Sequence, residues 1–436
     1  MRNITIGVLV GLVAASASAQ LLPGGVGQLT GGLTSGLPLP GGLPAGLAGA
    51  ASGSPVIGQP LGGLGGFVGG VVPDARRLLD LRRTRLNALV RANPMTLDAD
   101  TDGNPVRRDE LVAIDVDAAQ VATARAAGFV VVREDSDTLV RVTILRPPAR
   151  TSLKRALALL RSVLPSAAVD YNHVYEPAGA ALQPGAPPRS ATSTTAPIGL
   201  IDGGVAAHAS LAGARIEQRG FAGPVAATGH GTAIASLLLG QAPGFAGAAL
   251  GSSLLVADVY GGSAASGSAE AVARALAWLD GRGVRIVNIS LVGPANLLVE
   301  RAIAAARDHG VALVAAVGND GPAAPPLYPA SYAGVIAVTG VDARDRALPE
   351  AGKARHLDFA APGADMAAAL PGGGFALVRG TSFAAPLVAA RLAADGGNIA
   401  AVSGEARPGR GGNLGRGILC GGCRNTDPAL LKKKRG

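Results

Sequence analysis

Cysteine is almost absent from this chain: 436 residues hold only Cys420 and Cys423, so no framework of disulfides can staple the fold. Aromatic residues are as scarce, at 3% with a single Trp, so any core must be built from Ala, Val, Leu and Ile in thin layers. Such layers suit helices lying close against a parallel sheet. Lys and Arg outnumber Asp and Glu by 39 to 30, a net charge of +9. Without interleaved aromatics or a reader motif, that surplus predicts no specific nucleic-acid partner. The terminal run Lys432 to Arg435 offers at most a loose attraction to anionic polymers or lipid headgroups. The opening MRNITIGVLVGLVAASASA has a basic Arg2, an apolar stretch and a small-x-small site ending at Ala19, the pattern of a secretory signal peptide (1–19). Beyond it no stretch asks to be read as a membrane span, so the mature chain is expected to lack a transmembrane segment and to be periplasmic or extracellular. In an exported chain Cys420 and Cys423, spaced CGGC, read as a local disulfide, since no nearby His completes a zinc site.

What the chain does have is a set of short polar, glycine-flanked segments at the ends of apolar runs. GTSFAAP (380–386) sets Ser382 between a glycine turn and small helix-forming residues. A hydroxyl at a helix N-terminus has backbone N–H groups beside it that can hold a developing oxyanion. A serine nucleophile needs a histidine to take its proton and a carboxylate to orient that histidine. His230 in TGHGTAIASLLLG opens a run of helical pattern, and Asp202 follows the apolar run APIGLI at the expected end of a strand. Asn319 in VALVAAVGNDG ends another such strand, where its amide could donate to an oxyanion.

The order Asp, His, Asn, Ser, carried by LIDGGV, GHGTAIAS, AAVGNDG and GTSFAAP, resembles the subtilisin-like serine peptidases across roughly Ala196 to Ala401. The resemblance implies a three-layer α/β fold, a parallel sheet with helices on both faces. It implies catalysis by Asp202, His230 and Ser382 with Asn319 in the oxyanion hole, and no cofactor for the chemistry. NISLVGP (288–294) looks like the family's substrate-pairing strand, which makes Ser290, Leu291, Val292 and Gly293 the expected peptide-binding residues. Three positions depart from the family pattern: Gly203 where a hydroxyl residue usually follows the aspartate, Ala233 in place of a second histidine, and Val292 where glycine is common. These bear more on specificity than on chemistry. The competing reading is an inactive subtilase fold serving as a binding or surface scaffold.

Upstream, residues 20–72 form a Gly/Leu/Pro-rich low-complexity leader. From Asp74 to Ala92 a basic amphipathic helix is expected, with Leu79, Leu86 and Val90 on one side and solvated arginines around it. A β-α-β-β-α-β module follows, with Asp117 and Gln120 as a capping box and Leu153, Ala156, Leu157, Leu160 and Leu164 along one helix face. In position and topology this ferredoxin-like α+β unit (73–178) resembles the propeptide of secreted family members, which implies an intramolecular inhibitor and folding aid. A linker (179–196), the peptidase domain (197–401) and a Gly/Arg-rich surface tail (402–436) complete the expected organisation, with self-cleavage between about Tyr175 and Pro197. In DADTDGNPVRRD, Asp98, Asp100, Asp102 and Asp109 match the spacing of a calcium loop, although Pro105 and a following strand speak for an acidic turn. Structural calcium is the one metal the sequence leaves open.

Overall fold

The computed structural model describes residues 74–184 and 194–424. The signal-like segment, the low-complexity leader and the basic C-terminal run lie outside them. Among the described residues no helix is long and apolar enough to cross a membrane.

The first part begins with α1 (Ala75–Ala92), capped by Asp74, whose side chain accepts from Arg77 N. Strands β1 (Leu97–Ala99) and β2 (Pro105–Ile114) form a hairpin. Then come α2 (Ala118–Ala126), β3 (Val130–Asp135), β4 (Val142–Arg146), α3 (Leu153–Val163) and β5 (Ala168–His173). The reciprocal capping box of Asp117 and Gln120 opens α2. All pairings are antiparallel, with β4 and β5 flanking β2 and β3 outside β4. The alternation of β2 and β4 explains their doubly apolar sequence. Leu111, Ala113 and Leu145 face α2 and α3 in one core, whereas Val112, Ile114, Val142 and Ile144 pack into a second core shared with the larger domain.

Two short extended segments follow, β6 (Glu176–Pro177) and β7 (Ala180–Pro184), and then the larger domain. Its elements are β8 (Ile198–Asp202), β9 (Arg215–Gly220), α4 (Gly229–Leu239), a small hairpin of β10 (Gln241–Ala242) and β11 (Phe245–Ala246), β12 (Ser253–Asp258), α5 (Ala269–Gly281), β13 (Ile286–Ile289), β14 (Leu291–Val292), α6 (Leu297–Asp308), β15 (Ala312–Ala316), β16 (Ile336–Val341), β17 (Phe359–Pro362), β18 (Met366–Ala369), β19 (Phe375–Arg379), α7 (Thr381–Ala394) and α8 (Ile399–Glu405). Seven strands pair in parallel in the order β17-β16-β15-β13-β8-β12-β9. Both faces are covered, so the inner strands are largely apolar, whereas the edge strand β9, RIEQRG, is polar and mostly exposed. Leu200, Val256, Val314 and Ala316 point to the core of α4 and α7, and their neighbours Ile201, Ala257, Ala315 and Val317 to that of α5 and α6.

The antiparallel module rests its open face on α5 and α6. Arg133 pairs with the buried Glu270, its Nε 2.7 Å from Oε1, and Arg274 reaches Asp135 at 3.0 Å. Asp170 accepts from Leu297 N at 2.9 Å, placing a carboxylate at the N-terminus of α6, where the helix dipole favours negative charge.

Two expectations change. The inward face of α1 centres on Leu78 and Leu86, not on Leu79 and Val90, and Arg82 and Arg85 lie on that face. The arginines turn inward because carboxylates of the larger domain await them there. The tail is not wholly surface. Val402, Ile418, Leu419 and Cys423 are buried, and Ala360 and Ile418 form a parallel bridge. These few apolar residues, diluted among glycines and arginines, close the core beneath α7 and β17, and Cys420 and Cys423 are disulfide-bonded there. Leu419→Ala should therefore cost about 2–5 kcal/mol, the range for a buried leucine. The check is the denaturant midpoint of the Ser382→Ala chain with and without it; an unchanged midpoint would return the tail to the surface.

Candidate active site

Three segment ends of the larger domain converge at the C-terminal edge of the sheet. Asp202 is the last residue of β8, and its Oδ1 accepts from Gly203 N at 2.6 Å. Its Oδ2 lies 2.7 Å from His230 Nδ1. His230 is the second residue of α4, a helix whose N-cap Thr228 accepts from Gly231 N at 3.0 Å. On the other side His230 Nε2 lies 2.9 Å from Ser382 Oγ, at the start of α7. The chemistry assigns the protons. A carboxylate only accepts, so Nδ1 carries the hydrogen and donates to Asp202, which leaves Nε2 to accept from the serine hydroxyl. All three side chains are buried.

Local sequence choices make this approach possible. A Cβ at Gly203 would lie 2.4 Å from Thr228 Cγ2, and one at Gly231 would lie 2.3 Å from the Gly203 carbonyl oxygen. The hydroxyl residue usual after the aspartate is thus excluded here by Thr228, the residue that caps the histidine helix. Pro386 sits inside α7 and lacks an N–H, so the Ser382 carbonyl loses its usual helical partner. The Ser290 hydroxyl supplies the bond instead, donating to that carbonyl at 3.2 Å, and it accepts in turn from Asn288 Nδ2 at 2.7 Å. Neither Thr228 nor Pro386 was singled out by sequence reasoning. The missing N–H of a proline one turn past the serine was the available signal.

Asn319 follows Gly318, whose φ of +90° suits glycine, at the end of the β15 run. Its Oδ1 accepts from Thr381 N at 2.9 Å, which fixes the amide so that Nδ2 points into the cleft. There Nδ2 donates at 2.6 Å to the carbonyl oxygen of Ala178, and Ser382 N donates to the same oxygen at 3.2 Å. The Ala178 carbonyl is therefore held by two donors beside the Ser382 hydroxyl. A Cβ at Gly179 would fall 2.2 Å from Ser382 Oγ, so the backbone just after that carbonyl lies against the hydroxyl.

The chain's own segment occupies the cleft as an extended strand. Leu291 pairs with Pro177 and Val292 with Glu176, antiparallel, while Ala178 N donates to Ser290 O at 3.1 Å. On the opposite edge Tyr175 N donates to Gly267 O at 2.7 Å. The Tyr175 side chain is wholly buried and its hydroxyl donates to Pro294 O at 3.1 Å. Gly293 is open because the Tyr175 ring fills the space, only 2.5 Å from where a Cβ would stand. Beyond Gly179, β7 pairs antiparallel with β19, with Ala180 opposite Arg379.

An ionic clamp closes over this strand. Arg85 of α1 bonds Glu176 at 3.1 Å and Asp320 at 3.0 Å, and Arg82 reaches Asp320 at 3.1 Å. Burial alone would lower the Arg85 pKa, but the two carboxylates outweigh it and raise it, so the guanidinium stays charged. Asp320, next to Asn319, was not among the residues picked out from the sequence.

The acidic segment at 98–109 is used for other purposes. Asp98 lies in β1 and Asp109 inside β2. Asp100 accepts from the backbone N–H groups of Asp102 and Asn104, from the Asn104 side chain and from His173. Burial would raise its pKa, but the bonds to His173 and Asn104 bring it down to about 2. Among the described residues no group of three or more His, Cys, Asp or Glu side chains is arranged to hold a metal ion.

The profile of the Subtilase family matches residues 196–394. Subtilisin Savinase from Lederbergia lenta is 33% identical over 215 residues, which cover 48% of this chain and 79% of that protein. The chain belongs to the subtilase family. An alkaline protease from Alkalihalobacillus alcalophilus is also 33% identical over 215 residues, 48% of this chain and 56% of the relative's length. The crystal structure of fervidolysin from Fervidobacterium pennivorans superposes with a TM-score of 0.63, covering 73% of this chain and 61% of that one; at 19% identity this likeness concerns the fold. The subtilase domain is that of a serine endopeptidase, with a subtilisin-like parallel sheet between helices.

Adding a methyl group at Gly203 tests how far this subtilase depends on the fit beside Asp202. Gly203→Ala should push Thr228 and the start of α4, lowering kcat on the order of 100-fold, the penalty of an ångström-scale displacement. Thr228→Ser in the same chain should restore part of it, measured as turnover of a peptide substrate; full activity of the Gly203→Ala chain would refute the steric account.

Proposed function

We propose that this subtilase is made as a secreted zymogen that cuts itself between Ala178 and Gly179, and that the released 74–178 segment remains as an inhibitor until removed. The observation that carries this reading is the double hydrogen bond to the Ala178 carbonyl from Asn319 Nδ2 and Ser382 N, with Gly179 against the serine hydroxyl. Two donors on the carbonyl oxygen and a hydroxyl beside the next residue are what a peptide bond positioned for attack would have.

In the proposed reaction Ser382 Oγ attacks the Ala178 carbonyl carbon while His230 Nε2 takes the hydroxyl proton. Asp202 holds the imidazole tautomer and stabilises the cation that forms. The negative charge grows on the oxygen already facing Asn319 and Ser382 N, donors that need no reorganisation. His230 then gives its proton to the Gly179 nitrogen, which leaves as a new N-terminus. Water, deprotonated by the same imidazole, hydrolyses the ester to leave a carboxylate on Ala178 and restore Ser382. Strand pairing by Ser290, Leu291 and Val292 holds later substrates through backbone bonds with little demand on sequence.

Intact-mass analysis of the chain from Gln20 onward tests the proposal. The wild type should resolve into fragments ending at Ala178 and beginning at Gly179, while Ser382→Ala stays whole. Cleavage of the mutant alone in solution at the same bond would refute self-processing. Asn319→Ala should slow turnover by roughly 10²–10³, a magnitude whose source is the corresponding amide in a member of this family.

A further inference from the structure

The pocket that would receive the side chain before the scissile bond is almost filled by the protein itself. Ala178 is bonded through its N–H to Ser290 O and through its carbonyl to Asn319, so it lies between the segments 290–293 and 316–319. Those walls are tied together further on: Gly293 and Tyr328 exchange both backbone hydrogen bonds, at 2.9 and 3.0 Å. The bridge carries Leu327 against the Gly318 backbone. A Cβ at Gly318 would stand 2.7 Å from Leu327 Cδ1 and 3.4 Å from Val292 Cγ1, so two branched side chains converge beside the residue preceding Asn319. Val292 is the position where the sequence departs from the glycine common in the family.

Ala178, Val292, Ala316 and Leu327 belong to one continuous buried cluster, with exposures of 3, 6, 0 and 3%. A methyl group fits beside these packed side chains; an isobutyl or benzyl group must displace them, and the Gly293–Tyr328 bridge holds the backbone that carries them.

We propose that Val292 and Leu327 together restrict this peptidase to cleavage after alanine or glycine. The proposal rests on reading Ala178–Gly179 as the bound scissile bond. The Tyr175 slot supplies the second anchor of a substrate, so the natural probe is the chain's own sequence Val-Tyr-Glu-Pro-Xaa-Gly-Ala, with Xaa varied.

The experiment uses the full chain after processing, with its active serines counted by reaction with a phosphonofluoridate. Peptides with Ala, Leu or Phe at Xaa are compared by kcat/KM per active serine. Alanine should exceed Leu and Phe by roughly 100-fold or more, the discrimination a closed apolar pocket can reach. The double variant V292G/L327G should bring Phe to within about 10-fold of Ala. A wild-type chain that labels with the reagent and cleaves the Leu and Phe peptides as fast as the Ala peptide overturns the pocket proposal while leaving the peptidase reading intact. A wild-type chain that stays uncut and neither labels nor cleaves any peptide overturns the reading of the site, and the pocket proposal with it. The wild-type comparison stands even if the double variant fails to fold.

Discussion

The whole site turns on one imidazole bonded at both of its nitrogens. His230 can accept from Ser382 only because Asp202 takes the proton on the opposite nitrogen, and this places three segment starts or ends within a few bonds of each other. A parallel sheet meets that demand economically. Its strand ends all open at one edge, so β8 delivers Asp202, the turn after β15 delivers Asn319, and the two helices on one face present His230 and Ser382 at their N-termini. The small residues around them follow from the distances involved. Gly203 and Gly231 lie where a Cβ would meet the cap of the histidine helix or the turn after Asp202, and Gly318 where it would meet Leu327.

The same geometry explains why four short motifs were legible in one sequence. Each side chain of the candidate site sits beside the turn or cap that positions it, so glycine, hydroxyl and apolar signals lie within a few residues of the converging atoms. The parallel sheet was readable for a related reason, since strands buried on both faces are apolar without alternation. What could not be read depends on long-range partners. Arg85 and Asp320 are 235 positions apart, so α1 looked like a helix with a solvated charged face. The tail looked polar because Val402, Ile418 and Leu419 are spread among glycines and arginines, and only the folded chain gathers them. The spacing of Asp98, Asp100, Asp102 and Asp109 resembled a calcium loop, yet the hairpin from β1 to β2 uses Asp100 to bind its own turn and His173.

Ser290 shows how motifs read separately are one device. Its backbone carbonyl receives Ala178 N, its hydroxyl replaces the hydrogen bond that Pro386 cannot give, and its neighbours pair with the strand in the cleft. Strand pairing in the cleft and the orientation of α7 are thereby coupled through a single residue. The proline would be a defect in an ordinary helix. Here it frees the Ser382 carbonyl for a contact that ties α7 to the segment leading into β14.

The clamp by α1 bears on how, in the proposed cycle, a segment would be substrate and inhibitor in turn. Backbone pairing along β14 and the two donors on the Ala178 carbonyl are contacts any peptide of suitable shape could make. What distinguishes the chain's own segment is attachment to a folded module that also buries Val112, Ile114, Val142 and Ile144 against α5 and α6 and sends Arg82 and Arg85 to Asp320. Linking many modest contacts raises the effective concentration of the segment at the cleft without strengthening any one of them. In the proposed cycle, cutting after Ala178 leaves those contacts on the product side of the bond. The module would then hold its own cleaved end in place, and a free peptide with the same sequence but no module would leave. Removal of the module therefore requires its interface to open, through local unfolding or a second cut. Glu176 joins both sets of contacts, because it pairs with Val292 and binds Arg85, so the residue that helps to seat the proposed scissile bond also ties α1 to it.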